Sequence, residues 1–95
     1  ITMLEDVKKA LRVSNSVFDD EIQDLIGEAR ADLIQAGLSP DIVNSDDPLI
    51  KRAIKTYCKA EFGIDNPQAD RFRDAYVMIK QHLSLAGDYN GNSVE

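Results

Sequence analysis

The chain has 95 residues, of which 43% are hydrophobic and 29% charged, and its formal net charge is −6. This length and composition suit one globular domain, and they exclude a disordered chain, which would be less apolar. The negative charge disfavours general binding to a phosphate backbone, and no apolar run approaches the roughly 20 residues that a membrane-spanning helix needs.

Apolar side chains repeat at helical spacing along most of the chain, which predicts an all-α fold, a small bundle of four helices. The predicted helices cover approximately residues 3–13, 17–36, 48–62 and 67–86. Thr2 and Glu5 have the spacing of a capping box at the start of the first helix. Ser16 is expected to cap the second helix, and Gly37 to end it in the left-handed conformation.

The third and fourth helices are each preceded by a capping residue and a proline. Asp47 comes before Pro48, and Asn66 before Pro67, so each proline is placed for the first helical position. The connection after Gly37 is rich in turn residues, and we expect at most one short turn of helix near 40–43. Six side chains central on the apolar stripes are predicted to be buried: Ile26, Leu33, Ile54, Tyr57, Tyr76 and Ile79.

Charge is distributed unevenly between two predicted helices. Residues 17–37 contain six acids and one base, whereas residues 48–63 contain four bases and one acid. These can be solvated faces whose opposite signs help neighbouring helices to pack, or complementary surfaces of identical subunits. The candidate subunit-interface residues are Asp20, Asp24, Glu28, Asp32, Lys51, Arg52 and Lys55.

Side chains for common catalytic or metal chemistry are sparse. His82 is the only histidine and Cys58 the only cysteine, too few for a zinc site. Cys58 lies on an apolar stripe, where a buried, unreactive thiol is the usual outcome. We therefore expect no enzyme activity, no cofactor and no metal. The single cysteine and the lack of a basic-then-apolar leader favour a reducing compartment.

A DNA-binding helix-turn-helix is an alternative, because Lys51, Arg52, Lys55 and Lys59 lie on one predicted helix. The preceding linker of about ten residues is long for that motif, whose turn normally has about three or four. A small helical regulatory adaptor domain is the other alternative. Salt-sensitive duplex binding would favour the DNA-binding domain, and concentration-dependent ring formation would disfavour both.

Four segments carry a resemblance to a known family: LEDVKKALRV, FDDEIQDLIGEARADLIQAGL, DPLIKRAIKTYCKAEFG and RFRDAYVMIKQHLSLAGDY. In this order, over roughly residues 4–89, they resemble the phage head-tail connector family, also called head-completion or DNA-packaging adaptor proteins. The resemblance implies a structural virion protein of a tailed phage or prophage, assembled in the host bacterial cytoplasm. It also implies a ring of about a dozen copies under the portal, which extends the DNA channel and joins head to tail. The implied partners are further copies of the chain, the portal protein and a tail or stopper protein, with DNA passing through the channel without specific binding.

The polar composition after Gly87 predicts a helical domain at 1–87 and a flexible C-terminal tail at 88–95. Tyr89 is the candidate docking residue of this tail, because an aromatic side chain can anchor in a partner's pocket at low entropic cost. An ordinary frayed terminus is the alternative interpretation. We expect the tail to be mobile in a free monomer and ordered when docked.

Overall fold

The computed structural model describes residues 2–63, 66–87 and 89. Its helices in chain order are α1 (Met3–Leu11), α2 (Asp19–Gln35), α3 (Pro40–Val43), α4 (Pro48–Glu61) and α5 (Ala69–Leu85). No strand occurs within these residues, so the predicted all-α fold is confirmed. The four long helices lie within the predicted ranges, and the short turn expected near 40–43 is α3. None of the helices in the described ranges is long and apolar enough to cross a bilayer.

Two of the predicted helix starts have the expected caps. At α1, the Thr2 hydroxyl accepts from the Glu5 backbone N–H at 3.2 Å, and the Glu5 carboxylate accepts from the Thr2 N–H at 3.0 Å. At α4, the Asp47 carboxylate accepts from the N–H groups of Leu49 and Ile50, with Pro48 in the first helical position. These side chains satisfy backbone donors that have no partner within the helix.

The start of α2 differs from the prediction, because Ser16 does not cap it with its side chain. Asn15 instead accepts from the Val17 N–H at 3.1 Å and forms a local turn, so the helix begins only at Asp19. Asn66 does the same before α5, where its side chain accepts from the Gln68 N–H at 3.1 Å. Polar side chains in these two connections therefore build turns that delay the helices by two residues.

The first two long helices end in the same hydrogen-bonding motif. After α2, Gly37 has φ +108°, as predicted, and the Leu38 N–H donates to the Leu33 carbonyl. After α1, Arg12 takes the left-handed position with φ +61°, and the Val13 N–H donates to the Lys8 carbonyl. An arginine thus occupies a position that favours glycine.

The core is centred on α4, which packs against α1, α2 and α5. Phe18 at the start of α2 contacts Phe62, which follows α4, and Arg73 near the start of α5 contacts Glu61 at the end of α4. Helix α4 therefore runs antiparallel to α2 and to α5. The buried side chains of the helices are Met3, Val7, Ile22, Leu25, Ile26, Ala29, Leu33, Val43, Ile50, Ala53, Ile54, Cys58, Ala60, Tyr76 and Leu83.

Four of the six predicted core residues are buried, namely Ile26, Leu33, Ile54 and Tyr76, whereas Tyr57 and Ile79 are only half-buried. Ile79 stays partly exposed because it lies on α5, an outer helix that packs mainly against α4.

Candidate functional site

The acidic residues of α2 divide into exposed and engaged groups. Asp20 and Asp24 are exposed and have no ion-pair partner among the described residues. Glu28 accepts a hydrogen bond from the Tyr57 hydroxyl at 3.2 Å. Burial and the Glu28 carboxylate together raise the pKa of Tyr57 to about 12, so this phenol stays protonated and keeps donating.

Asp32 is held in a polar cluster between α2 and α5. One carboxylate oxygen accepts from the Tyr76 hydroxyl at 2.6 Å and from Lys80 Nζ at 2.9 Å. Partial burial opposes ionisation of Asp32, but these two hydrogen bonds outweigh it and lower its pKa. Burial and the same carboxylate raise the pKa of Tyr76. Asp32 therefore joins two helices of one subunit.

The Tyr76 ring is also enclosed by neighbouring side chains. The Tyr57 ring meets it edge-on with centroids 5.1 Å apart, and Lys80 Nζ lies 5.3 Å from its centroid. Edge-to-face pairs and cations over aromatic faces are both favourable arrangements. The cluster is therefore a structural contact of the bundle.

The basic residues of α4 divide in the same way. Lys51 Nζ forms a 2.8 Å ion pair with Asp6 of α1, and this contact lowers the pKa of Asp6 and raises that of Lys51. Arg52 is exposed and Lys55 half-buried, and neither has an ion-pair partner among the described residues. Among the described residues, ion pairs between helices run from α1 to α4 (Lys51 with Asp6), from α2 to α5 (Lys80 with Asp32) and from α4 to α5 (Arg73 with Glu61). A fourth pair, Lys8 with Asp19 at 2.7 Å, joins α1 to α2.

A groove of about 270 Å³ lies between α4 and α5, and sequence reasoning missed it. Its lining residues are Arg52, Ala75, Met78, Ile79 and His82. His82 lies exposed beside this groove. The signal in the sequence is the run Tyr76–Ile79, because four consecutive apolar residues on a helix cannot all face one core.

A second exposed apolar feature lies where α2 begins. Val17 is 77% exposed, and Phe18 is partly exposed although its ring meets that of Phe62 edge-on at 5.5 Å. In sequence, Phe18 precedes Ile22 and Leu25 at helical spacing and so continues the apolar stripe of α2. It lies at the margin of the bundle because the turn at Asn15 moves it outside the first helical turn.

Tyr89, the candidate docking residue, contacts its own chain. Its hydroxyl lies 3.0 and 3.1 Å from the two carboxylate oxygens of Asp47, the cap of α4. Its carbonyl accepts from the Ser39 N–H at 2.7 Å. This contact ties the segment after α5 to the connection between α2 and α4. The other predicted tail residues, 88 and 90–95, lie outside the described residues.

The residues considered for reactivity are not brought together as a site. Cys58 is fully buried, which confirms its predicted burial, and burial raises the pKa of its thiol to about 12. Within the described ranges, no group of three or more His, Cys, Asp or Glu side chains could hold a metal ion.

The described residues thus form a helical bundle with unpaired surface charge and exposed apolar patches. The family model for phage connector protein matches residues 3–90. Because this match covers nearly the whole chain, the chain belongs to the phage connector family, and its role is that of a structural connector in the virion. Its partners are accordingly other head or tail proteins of the phage. Neither the curated proteins nor the solved structures contain a match.

Proposed function

We propose that the chain is a head-completion subunit that assembles into a ring beneath the portal and extends the channel through which the genome passes. The observation that carries the proposal is the match to the connector family over residues 3–90. The portal protein and a tail or stopper protein are the proposed partners, and assembly takes place in the host bacterial cytoplasm. A ring of about a dozen copies follows from the family resemblance.

The charge of the chain supports a role in a DNA channel. With a net charge of −6, a ring of subunits presents a strongly negative structure to a passing duplex. A basic lumen would hold DNA by releasing its counterions, whereas an acidic wall leaves the duplex free to slide. DNA therefore passes through without specific binding.

The unpaired charges support contact between identical subunits. Asp20 and Asp24 on α2, and Arg52 and Lys55 on α4, remain after the intrachain ion pairs have been assigned. A closed ring needs two different surfaces that match each other, and opposite charges on two helices provide them. Within the candidate interface, these four residues are therefore better placed than Asp32 and Lys51, which are engaged inside the subunit.

The DNA-binding alternative is disfavoured by the position of α4. A recognition helix must expose one face to enter the major groove. The basic helix α4 packs against α1, α2 and α5 instead, and its Lys51 is paired with Asp6. The short helix α3 also separates α2 from α4, so the tight turn of a helix-turn-helix is absent from the described connection.

Ring formation can be tested with the purified protein. We expect negative-stain images at high concentration to show rings, and the protein to copurify with capsids that carry a portal. Strictly monomeric protein that also fails to bind portal-bearing capsids would contradict the proposal. Titrating a DNA duplex at low salt provides the control, because a regulatory DNA-binding domain would bind it and lose affinity as salt is raised.

A further inference from the structure

The last helix is the least covered of the long helices. Only Tyr76 and Leu83 of its 17 residues are buried, and it packs mainly against α4. Met78 is 60% exposed and Leu85 81% exposed. Contiguous apolar surface on an outer helix commonly marks a contact with another protein.

The groove between α4 and α5 combines this apolar surface with positive charge. Ala75, Met78 and Ile79 contribute apolar atoms, whereas Arg52 and His82 contribute N–H donors. Arg52 makes no ion pair with any described residue. A matching occupant would present an apolar side chain flanked by carboxylates.

The start of α2 presents such an apolar side chain with carboxylates near it. Val17 is 77% exposed in the turn before α2. The exposed carboxylates of Asp20 and Asp24 follow in the first turns of α2, and their spacing of four residues places these two on one side of the helix. We call these three residues the α2 corner. Neither carboxylate is paired within the described chain.

One subunit cannot join these two surfaces to each other. The α2 corner lies beside the end of α4, where Phe18 meets Phe62, whereas Arg52 lies in the first turns of α4. Ten residues separate these two points, which corresponds to about 15 Å along the helix. Both surfaces therefore remain open for other molecules.

We propose that the α4/α5 groove of one subunit receives the α2 corner of a second copy of the chain. Val17 lies against Met78, and the carboxylates of Asp20 and Asp24 face Arg52. The inference rests on the proposed ring and names the two surfaces that join its neighbours. Because the two surfaces differ, an open row of subunits always has a free α4/α5 groove at one end and a free α2 corner at the other. Assembly stops when these two ends meet and the ring closes.

Each surface can be disabled by one substitution at an exposed position. Met78→Glu puts a negative charge in the groove, and Val17→Glu replaces the apolar side chain of the α2 corner. We expect both variants to remain monomeric in sedimentation-velocity runs at concentrations where the wild-type chain assembles. Gln35→Glu, which adds the same charge at the exposed far end of α2, should assemble as the wild type does. Thermal melts followed by circular dichroism should show that all three variants are folded, because exposed substitutions usually cost little stability.

Mixing the two disabled variants tests the pairing itself. Each retains one intact surface, so an equimolar mixture should form a one-to-one dimer and nothing larger. If α5 instead packed against α5 of the neighbour, Val17→Glu alone would still assemble, and that result would overturn the proposal. A mixture that stays monomeric would also overturn it.

The wild-type control separates this inference from the proposed function. If the wild type and both variants form rings equally well, the assigned contact is wrong and the connector ring stands. If the wild type forms no oligomer up to the millimolar range and also fails to bind portal-bearing capsids, the ring itself is contradicted, and this contact with it. If it assembles only on such capsids, the same variants are compared in that binding.

Discussion

The hydroxyl of Tyr76 donates a 2.6 Å hydrogen bond to Asp32 and so ties the outermost helix of the bundle to α2. Lys80 shares the same acceptor oxygen, so Asp32 satisfies two donors of α5 at once. Since α5 otherwise packs mainly against α4, this contact fixes its orientation relative to α2.

Tyr76→Phe should lower the free energy of unfolding by about 1–3 kcal/mol, because a hydrogen bond to a charged group is lost while the ring is kept. Urea denaturation measures the effect. Tyr57→Phe is the matched control, since its hydroxyl makes a longer bond of 3.2 Å to the exposed Glu28. We expect a smaller loss for the control. Equal losses for the two variants would mean that the Asp32 contact has no special role.

Stability should fall in acid through Asp32. The pKa of Asp32 is lower in the folded chain than its ordinary value of 3.8. Its contribution to the free energy of unfolding is therefore complete above pH 3.8, and it is lost as the pH falls through the lower folded pKa. We expect urea melts between about pH 5 and pH 2 to show this loss, and Asp32→Asn to have a flatter profile. An unchanged slope in Asp32→Asn would rule out this origin, and the loss would then be assigned to groups such as Asp6.

Arg12→Gly should stabilise the chain by about 1 kcal/mol, because a left-handed backbone is costly for residues with a Cβ atom. Arg12 has φ +61° at the end of α1. The converse change, Gly37→Ala, should destabilise the chain by a similar amount, because Gly37 has φ +108°. An added Cβ would meet no atom within 4 Å there, so the cost comes from the backbone conformation alone. Thermal melts of both variants check the pair, and shifts of the same sign would contradict the argument.

Removal of residues 88–95 should destabilise the chain, because Tyr89 contacts both Asp47 and Ser39. A variant ending at Tyr89 should keep the wild-type melting temperature. Comparing the variant that ends at Tyr89 with the wild type in binding to portal-bearing capsids tests a docking role of residues 90–95 apart from the stabilising role of Tyr89. If the shorter variant melts as the wild type does, the contact with Asp47 contributes nothing to stability.

Local signals predicted the helices well. The capping box at Thr2, the pair Asp47 and Pro48, and the glycine at position 37 act within a few residues, so they can be identified without knowledge of the fold. The start of α2 was wrong by two residues because Asn15 and Ser16 are both good capping residues. Asn15 instead forms a turn with the Val17 N–H, and the helix begins at Asp19 without a side-chain cap.

The candidate interface was harder to predict, because the charges on one helix look alike in sequence. Asp24 and Asp32 both belong to the acidic helix, but only Asp32 meets Tyr76 and Lys80, which are more than 40 residues away in the chain. Lys51 and Arg52 are adjacent, but only Lys51 faces Asp6 of α1. Tertiary packing alone separates such residues, and it also creates the groove at Met78.

The burial of Cys58 makes the protein well suited to fluorescence experiments. Thiol reagents attack the thiolate, and a fully buried thiol with a pKa of about 12 presents almost none of it at neutral pH. A cysteine introduced at an exposed position outside the proposed contact, such as Gln35, would therefore take up a maleimide dye selectively, without removal of the native residue. Neighbouring subunits could be labelled one position at a time, and energy transfer between them would report their spacing in solution.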